Sequence, residues 1–220
     1  MAHDLPTLGD GNRLSLPQAF LLLSLKEKEG TLLADTIRAQ HGLAGAILAE
    51  LALAEVLTIQ TADSADSDVH QQFVNVEKNP QPAFPLTVVC ANALSQIRRS
   101  KHQQSATDWV SDLAPSGLRH RVAEPLLDAG VLTRKRRWKF GLIPMTNYPE
   151  ADPTVEIALR EFLIDRVHHR NTSTSASVII GLLQAVGMTR KVLGTFEADQ
   201  LNAVVLEANL PHVVQQAVEA

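Results

Sequence analysis

One cysteine, Cys90, stands in a chain of 220 residues. That excludes an intramolecular disulfide and any cysteine-cluster metal site, and it fits a reducing, cytoplasmic compartment. Aromatic residues are scarce as well, at 4%, so a core has to be assembled from Leu, Val, Ile and Ala. The longest apolar stretch nearly clear of charge, Ala176–Met188, falls short of the roughly 20 residues that a membrane-spanning helix needs. The opening residues MAHDLPTLGDGNR carry neither a basic segment nor an apolar run of the secretory kind, so membrane contact is expected to be peripheral. The formal net charge is only −4, so attraction to a membrane or a nucleic acid has to come from a local patch. No G-x-S-x-G, H-E-x-x-H, phosphate-loop or G-x-G-x-x-G pattern occurs, and acids and bases are scattered over helix faces. An enzyme is therefore not expected, and no cofactor is implied.

What is present is a leucine-rich helical pattern. The length suffices for one sizeable core, and 45% hydrophobic with 20% charged residues is ordinary globular composition. Residues 1–13 read as a loose, flexible tail, and 14–220 as one compact, mainly α domain with buried central helices and one or two β-hairpins. Ser15 predicts an N-cap, with Gln18 reaching back in a capping box and Pro17 in the first turn. Phe20, Leu21, Leu23 and Leu25 then supply apolar surface on nearly every side, which predicts a buried helix. Lys26–Gly30 stops it, a second short helix ending near His41 follows, and Gly42–Glu55 reads as a long central helix. Val56–Gln60 and Gln72–Val76 predict a hairpin around the polar loop Thr61–Val69. Helices follow over Leu86–Lys101, Ser105–Leu113 and Leu118–Ala129. A second hairpin spans 131–144, with strands Val131–Thr133 and Lys139–Pro144 around the tip Arg134–Trp138. Val155–Val167, Val178–Met188, Phe196–Leu206 and Pro211–Val218 close the domain as helices. A helix entering a hairpin thus occurs twice, in the manner of an internal duplication.

The strongest chemical signal is RKRRWKF. Arg134, Lys135, Arg136, Arg137 and Lys139 are cationic and surround Trp138. A hairpin tip of this kind places cations at phosphates while the indole sits at headgroup depth. Near an anionic surface each cation contributes about 1 kcal/mol. The second candidate is the helix start Gly117-Leu118-Arg119-His120-Arg121, where amides and two guanidiniums favour phosphate. His168-His169 point about 100° apart on a helix and cannot converge on one ion. Arg98-Arg99-Ser100-Lys101 suits a helix C-terminus, and Cys90 a small core position.

The segments LSLPQAFLLLSLKEKEG and GLAGAILAELALAEVLTI, with LLDAGVL at Leu126–Leu132 ahead of the basic hairpin, resemble the Golgi phosphoprotein 3 family domain. The resemblance implies a helical domain that binds phosphoinositide headgroups on membranes, of the phosphatidylinositol 4-phosphate kind. It also implies a headgroup pocket built from a Trp and an Arg of the N-terminal helices and two Arg at a later helix start. Those positions fall on Asp35, Ala44, Ser116 and Arg119, which leaves Arg119 as the matching residue and Arg38 and Arg121 as candidate substitutes. The hairpin over 131–144 is the implied membrane or homo-oligomer contact. Two readings compete with headgroup binding. One is a winged-helix-like nucleic-acid binder, disfavoured by the negative net charge and by the lack of a base-reading stripe. The other is an oligomeric interaction scaffold.

Overall fold

The all-round apolar surface of α1, Leu16–Ser24, dictates that this helix lies at the centre, and all nine of its residues are buried. The computed structural model describes residues 4–8, 11–62, 71–78, 81–139, 142–169, 173–206, 214 and 218. Gln18 Oε1 accepts from the Ser15 amide at 2.8 Å, closing the start of α1. A second acceptor comes from the neighbouring helix, where the buried carboxylate of Glu50 takes the Leu16 amide at 2.9 Å. An acid at a helix N-terminus satisfies an orphan donor and opposes the helix dipole.

Helix α2, Thr36–Leu53, runs beside α1. Asp35 is its N-cap, accepting from the Arg38 amide at 3.0 Å. The expectation of two helices meeting near His41 is corrected here: His41 and Gly42 lie inside one continuous helix. Gly42 marks a close approach rather than a helix end. A Cβ there would stand 2.2 Å from Phe20 Cζ, so the bare backbone is what admits the ring. Helices α3 (Val88–Arg99), α4 (Ala106–Asp112) and α5 (Leu118–Asp128) cover one side of this pair. Helices α6 (Thr154–His169), α7 (Thr174–Ala185), α8 (Thr189–Leu193) and α9 (Ala198–Leu206) complete the body. Cys90 is fully buried, and burial, with the Glu50 carboxylate nearby, pushes its thiol up to about 12, so it serves as an inert core residue. His168 and His169 occupy the last turn of α6, where His169 pairs with Asp165.

Two antiparallel hairpins project from this body. β1 (Leu57–Ala62) pairs with β2 (Gln71–Val76), and β3 (Lys135–Lys139) pairs with β4 (Ile143–Asn147). The second hairpin corrects the expected register. Val131–Thr133 is not a strand but a connector, pinned by Thr133 N–H to Pro149 O at 2.9 Å and by a single bridge between Leu132 and Glu150. The basic run forms β3 itself instead of the tip, and its partner strand starts at Ile143. The loose-tail expectation is also corrected for the described residues: Leu5 and Leu8 are buried, and Leu14 N–H donates to Pro6 O at 3.1 Å. The expected loop over Thr61–Val69 falls mostly outside the described residues, and so does the helix Pro211–Val218, of which only Val214 and Val218 are described, both helical and buried.

The hairpin base is fastened to the Lys26–Gly30 turn. Tyr148 N–H donates to Gly30 O at 3.0 Å, and Glu150 N–H to Glu27 O at 3.0 Å. Behind this seam three carboxylates, Glu27, Glu150 and Glu156, share Arg160. Both Glu150 oxygens are enclosed without a hydrogen-bond partner. Burial first, then Glu156 and Glu27, raise its carboxyl to about 7, against the pull of Arg160.

Two outcomes follow from these contacts. Gly42→Ala should destabilise the fold by about 2 kcal/mol, since overpacking against Phe20 outweighs the helix propensity that alanine adds; chemical denaturation measures it. The raised Glu150 carboxyl holds a proton that the unfolded chain releases between 4.5 and about 7. Stability therefore falls as pH rises through that window, and the cost is complete above it. After discounting for solvent screening at this partly buried residue, Glu150→Gln should raise stability by about 1 kcal/mol at pH 8 and give no gain at pH 5, as read by urea titration at both values.

Candidate functional site

Where α2 and α5 begin beside the base of the second hairpin, a pocket of about 430 Å³ opens. α2 contributes Thr36, Ala39, Gln40 and Leu43, all on the face set by three- and four-residue spacing. α5 contributes Gly117, Arg119 and His120. Gly117 is the N-cap at φ +93°, a left-handed conformation that turns the chain into the helix at no steric cost. Arg134, Arg136, Met145, Thr146 and Tyr148 complete the wall from the hairpin. In the ladder Arg136 faces Thr146, so this cross-strand pair presents one face to the pocket.

Three guanidinium groups and an imidazole line this space, and none of its lining residues is an Asp or Glu. Arg119 donates from Nη2 to Thr146 O at 2.8 Å and lies over the Tyr148 ring with Cζ 5.4 Å from the centroid. Its position costs hydration: burial lowers its pKa, partly offset by Tyr148, although a guanidinium stays charged there. Tyr148 is buried, and burial raises its phenol above 10, opposed by Arg119 and Arg134 and aided by Glu124. The hydroxyl is thus kept as a neutral hydrogen-bonding group, 2.7 Å from His120 Nδ1. Behind the cations stands Glu124, whose Oε1 meets His120 Nε2 at 2.9 Å and Arg134 Nη2 at 2.5 Å. Such a constellation suits an anion with several acceptor oxygens, and Thr36 and Gln40 add neutral polar groups at the opposite wall.

The residues anticipated from sequence separate into two groups. Arg119 lines the pocket, and Arg134 and Arg136, expected at a hairpin tip, come to it from the hairpin base. Arg38 does not join them. It is exposed, paired with Asp35 at 3.3 Å, and its guanidinium lies toward Gly187. Arg121 points to the other side of α5, where it lines shallow surface grooves with Val89 and Asn92 of α3. Asp35 is spent as an N-cap, Ala44 is fully buried, and Ser116 lies outside the pocket wall. Farther out, Trp138 is 67% exposed, and Lys135, Arg136 and Arg137 form no ion pair among the described residues. Leu142 near the tip is exposed as well. The side chain of Lys139 and residue Phe140 lie outside the described residues. Tyr148, Thr36, Gln40 and the role of His120 went unread in the sequence. The one available signal was that the single tyrosine of an aromatic-poor chain follows directly on the basic hairpin.

No helix among the described residues is long and apolar enough to cross a membrane. The family model of Golgi phosphoprotein 3 (GPP34) matches residues 16–220, nearly the whole chain, and covers both hairpins and every pocket residue; the protein belongs to the Golgi phosphoprotein 3 family.

Proposed function

We propose that the protein is a peripheral membrane protein that holds anionic lipid headgroups, of the phosphoinositide kind, in the pocket between α2, α5 and the second hairpin. The family is Golgi-associated and of a binding rather than an enzymatic type. The observation that carries the reading is the acid-free wall of Arg119, His120, Arg134 and Arg136 beside an exposed Trp138. Headgroup phosphate takes the guanidinium donors, and Thr36, Gln40 and the Tyr148 hydroxyl are placed for ring hydroxyls. Lys135, Arg137 and Trp138 meet the bilayer surface, where an indole favours the interfacial layer. A body of net charge −4 is repelled by an anionic leaflet, so the cations of one pole have to overcome that repulsion locally. The exposed Trp138, Leu142 and Met145 also suit contact between copies of the chain through the hairpin, a role compatible with the first.

Co-sedimentation with vesicles tests this. Binding to phosphatidylcholine vesicles should be absent, should emerge with phosphoinositide, and should weaken as salt rises from 50 to 300 mM. Arg119→Gln and Arg136→Gln should each weaken it about fivefold. Trp138→Ala should lower it further without altering the thermal midpoint. Undiminished binding in a variant combining Arg119→Gln, Arg136→Gln and Trp138→Ala would remove the basis of this reading, and tight binding to duplex DNA at physiological salt would favour the nucleic-acid alternative.

A further inference from the structure

Among the groups that line the pocket, the His120 imidazole is the kind that changes charge between pH 5 and 8. Both of its ring nitrogens are engaged. Nδ1 lies 2.7 Å from the Tyr148 hydroxyl, and Nε2 lies 2.9 Å from Glu124 Oε1. These two partners fix the proton positions. A carboxylate only accepts, so Nε2 carries a hydrogen; in a neutral ring Nδ1 is then an acceptor, and the phenol donates to it. The Tyr148 oxygen accordingly turns lone pairs, not a hydrogen, toward any ligand. A second proton on the ring reverses that bond. Nδ1–H donates to the Tyr148 oxygen, and the phenolic hydrogen is released for another acceptor. Burial raises the phenol above its ordinary value, so it keeps that hydrogen throughout. Of the charges around the ring, Glu124 favours an imidazolium. Arg119 over the Tyr148 ring, Arg134 on the same Glu124 oxygen and Arg136 from β3 oppose it. The α2 wall contributes Thr36, Ala39, Gln40 and Leu43 and no charge.

We infer that His120 and Tyr148 make anion binding at this pocket proton-linked: a bound anion draws a proton onto His120, and the protonated pair holds the anion more tightly than the neutral pair. The inference rests on the anion-binding reading of the pocket and adds its regulation. An anion supplies what the imidazolium lacks there, a counter-charge among three guanidiniums and an acceptor for the released phenolic hydrogen. Against the neutral ring, the same anion meets the lone pairs of the Tyr148 oxygen instead. Coupling of this kind is reciprocal, so tighter binding at low pH and proton uptake on binding express one free energy. Acidification therefore loads the pocket, and a rise toward pH 8 unloads it.

The probe is glucose 6-sulfate, a soluble ring whose single charge does not titrate between pH 5 and 8, so any pH dependence belongs to the protein. Calorimetry should find wild-type protein about fivefold tighter at pH 5.5 than at pH 8.0. At pH 6.5, paired buffers of different ionisation heat should register proton uptake on binding. His120→Gln keeps a donor for Glu124, and it should cut the pH difference to less than about twofold and lose the uptake. Tyr148→Phe keeps the ring beneath Arg119 and removes the reversible hydroxyl, so its pH difference should fall between those two proteins. His102→Gln alters an exposed imidazole beyond the end of α3 and should behave as wild type. Glu150 titrates in the same window behind the seam, but it is present in every protein compared. Equal wild-type affinity at both pH values, an unchanged pH dependence in His120→Gln, or a Tyr148→Phe profile identical to wild type each overturns the inference and leaves the pocket standing. A second arm uses phosphatidylcholine vesicles containing phosphatidylinositol, whose charge is likewise fixed. Proton-linked sulfate binding without vesicle binding would sink the membrane reading and leave the linkage in place. No binding of either probe at either pH would remove both.

Discussion

A backbone-on-backbone contact between Gly30 and Tyr148 is the constraint on which the pocket depends. Tyr148 N–H reaches Gly30 O at 3.0 Å, and a Cβ on Gly30 would lie 2.1 Å from the Pro149 nitrogen. Gly30 has φ +64°, so the position demands a left-handed residue and a bare α-carbon at once. Through this point the hairpin base is locked to the turn that joins α1 to α2. The three walls of the pocket come from segments far apart in sequence, and this seam sets their spacing. Tyr148 then passes the constraint on, with its ring under Arg119 and its hydroxyl on His120. A cationic pocket needs such support, because like charges held close together repel and a loose hairpin would let them drift apart.

The electrostatic design is one of segregation. An acidic chain keeps three arginines around one cavity and assigns them a single carboxylate, placed behind the wall. Burial takes hydration from Arg119, and the Tyr148 face and the Thr146 carbonyl return only part of it. A guanidinium in partly desolvated surroundings interacts more strongly with a nearby anion than a solvated surface arginine does. Arg38 illustrates the contrast. It has equal charge but is solvated and closed onto Asp35, and an exposed pair of that kind contributes little to either stability or binding.

Much of the architecture was legible from residue pattern. The capping signal at Ser15, the buried character of Phe20 and its neighbours, the helix start at Gly117 and the presence of two hairpins follow from local rules, and the structure has each of them. What escaped was set by contacts between segments. Gly42 reads as a helix boundary because glycine is a poor helix former, yet here it is selected by the Phe20 ring across the interface. The register of the second hairpin escaped for a similar reason. Val131-Leu132-Thr133 has strand-like composition, but its hydrogen-bonding groups are taken by Pro149 and Ala151 of the returning chain, so pairing begins only at Lys135. Arg119 was readable because it lies in a dense basic run at a helix start. Arg134 and Arg136 stand out in the sequence by charge, but strand register puts them at the base of the hairpin rather than at its tip. Arg38 and Arg121 lie close in sequence to pocket residues, and helical phase turns both away from the cavity.

That shift in register changes what the basic run does. At a tip, five cations and an indole would all face outward as one undivided finger. Within a strand they divide by alternation: Arg136 and Trp138 share one face with Thr146 and Pro144, while Lys135 and Arg137 pair with Asn147 and Met145, of which Met145 still reaches the pocket wall. Arg136 therefore serves the pocket, and Trp138 stands on the same face one pair farther from the body. Lys135 and Arg137 are left to the opposite side and to solvent. Under the proposed reading, phosphate contact by Arg136 and surface contact by Trp138 would both depend on the pleat of this one strand. The alternation also explains why a densely basic strand need not repel itself out of the sheet, since successive charges point away from one another and each faces a neutral residue across the ladder.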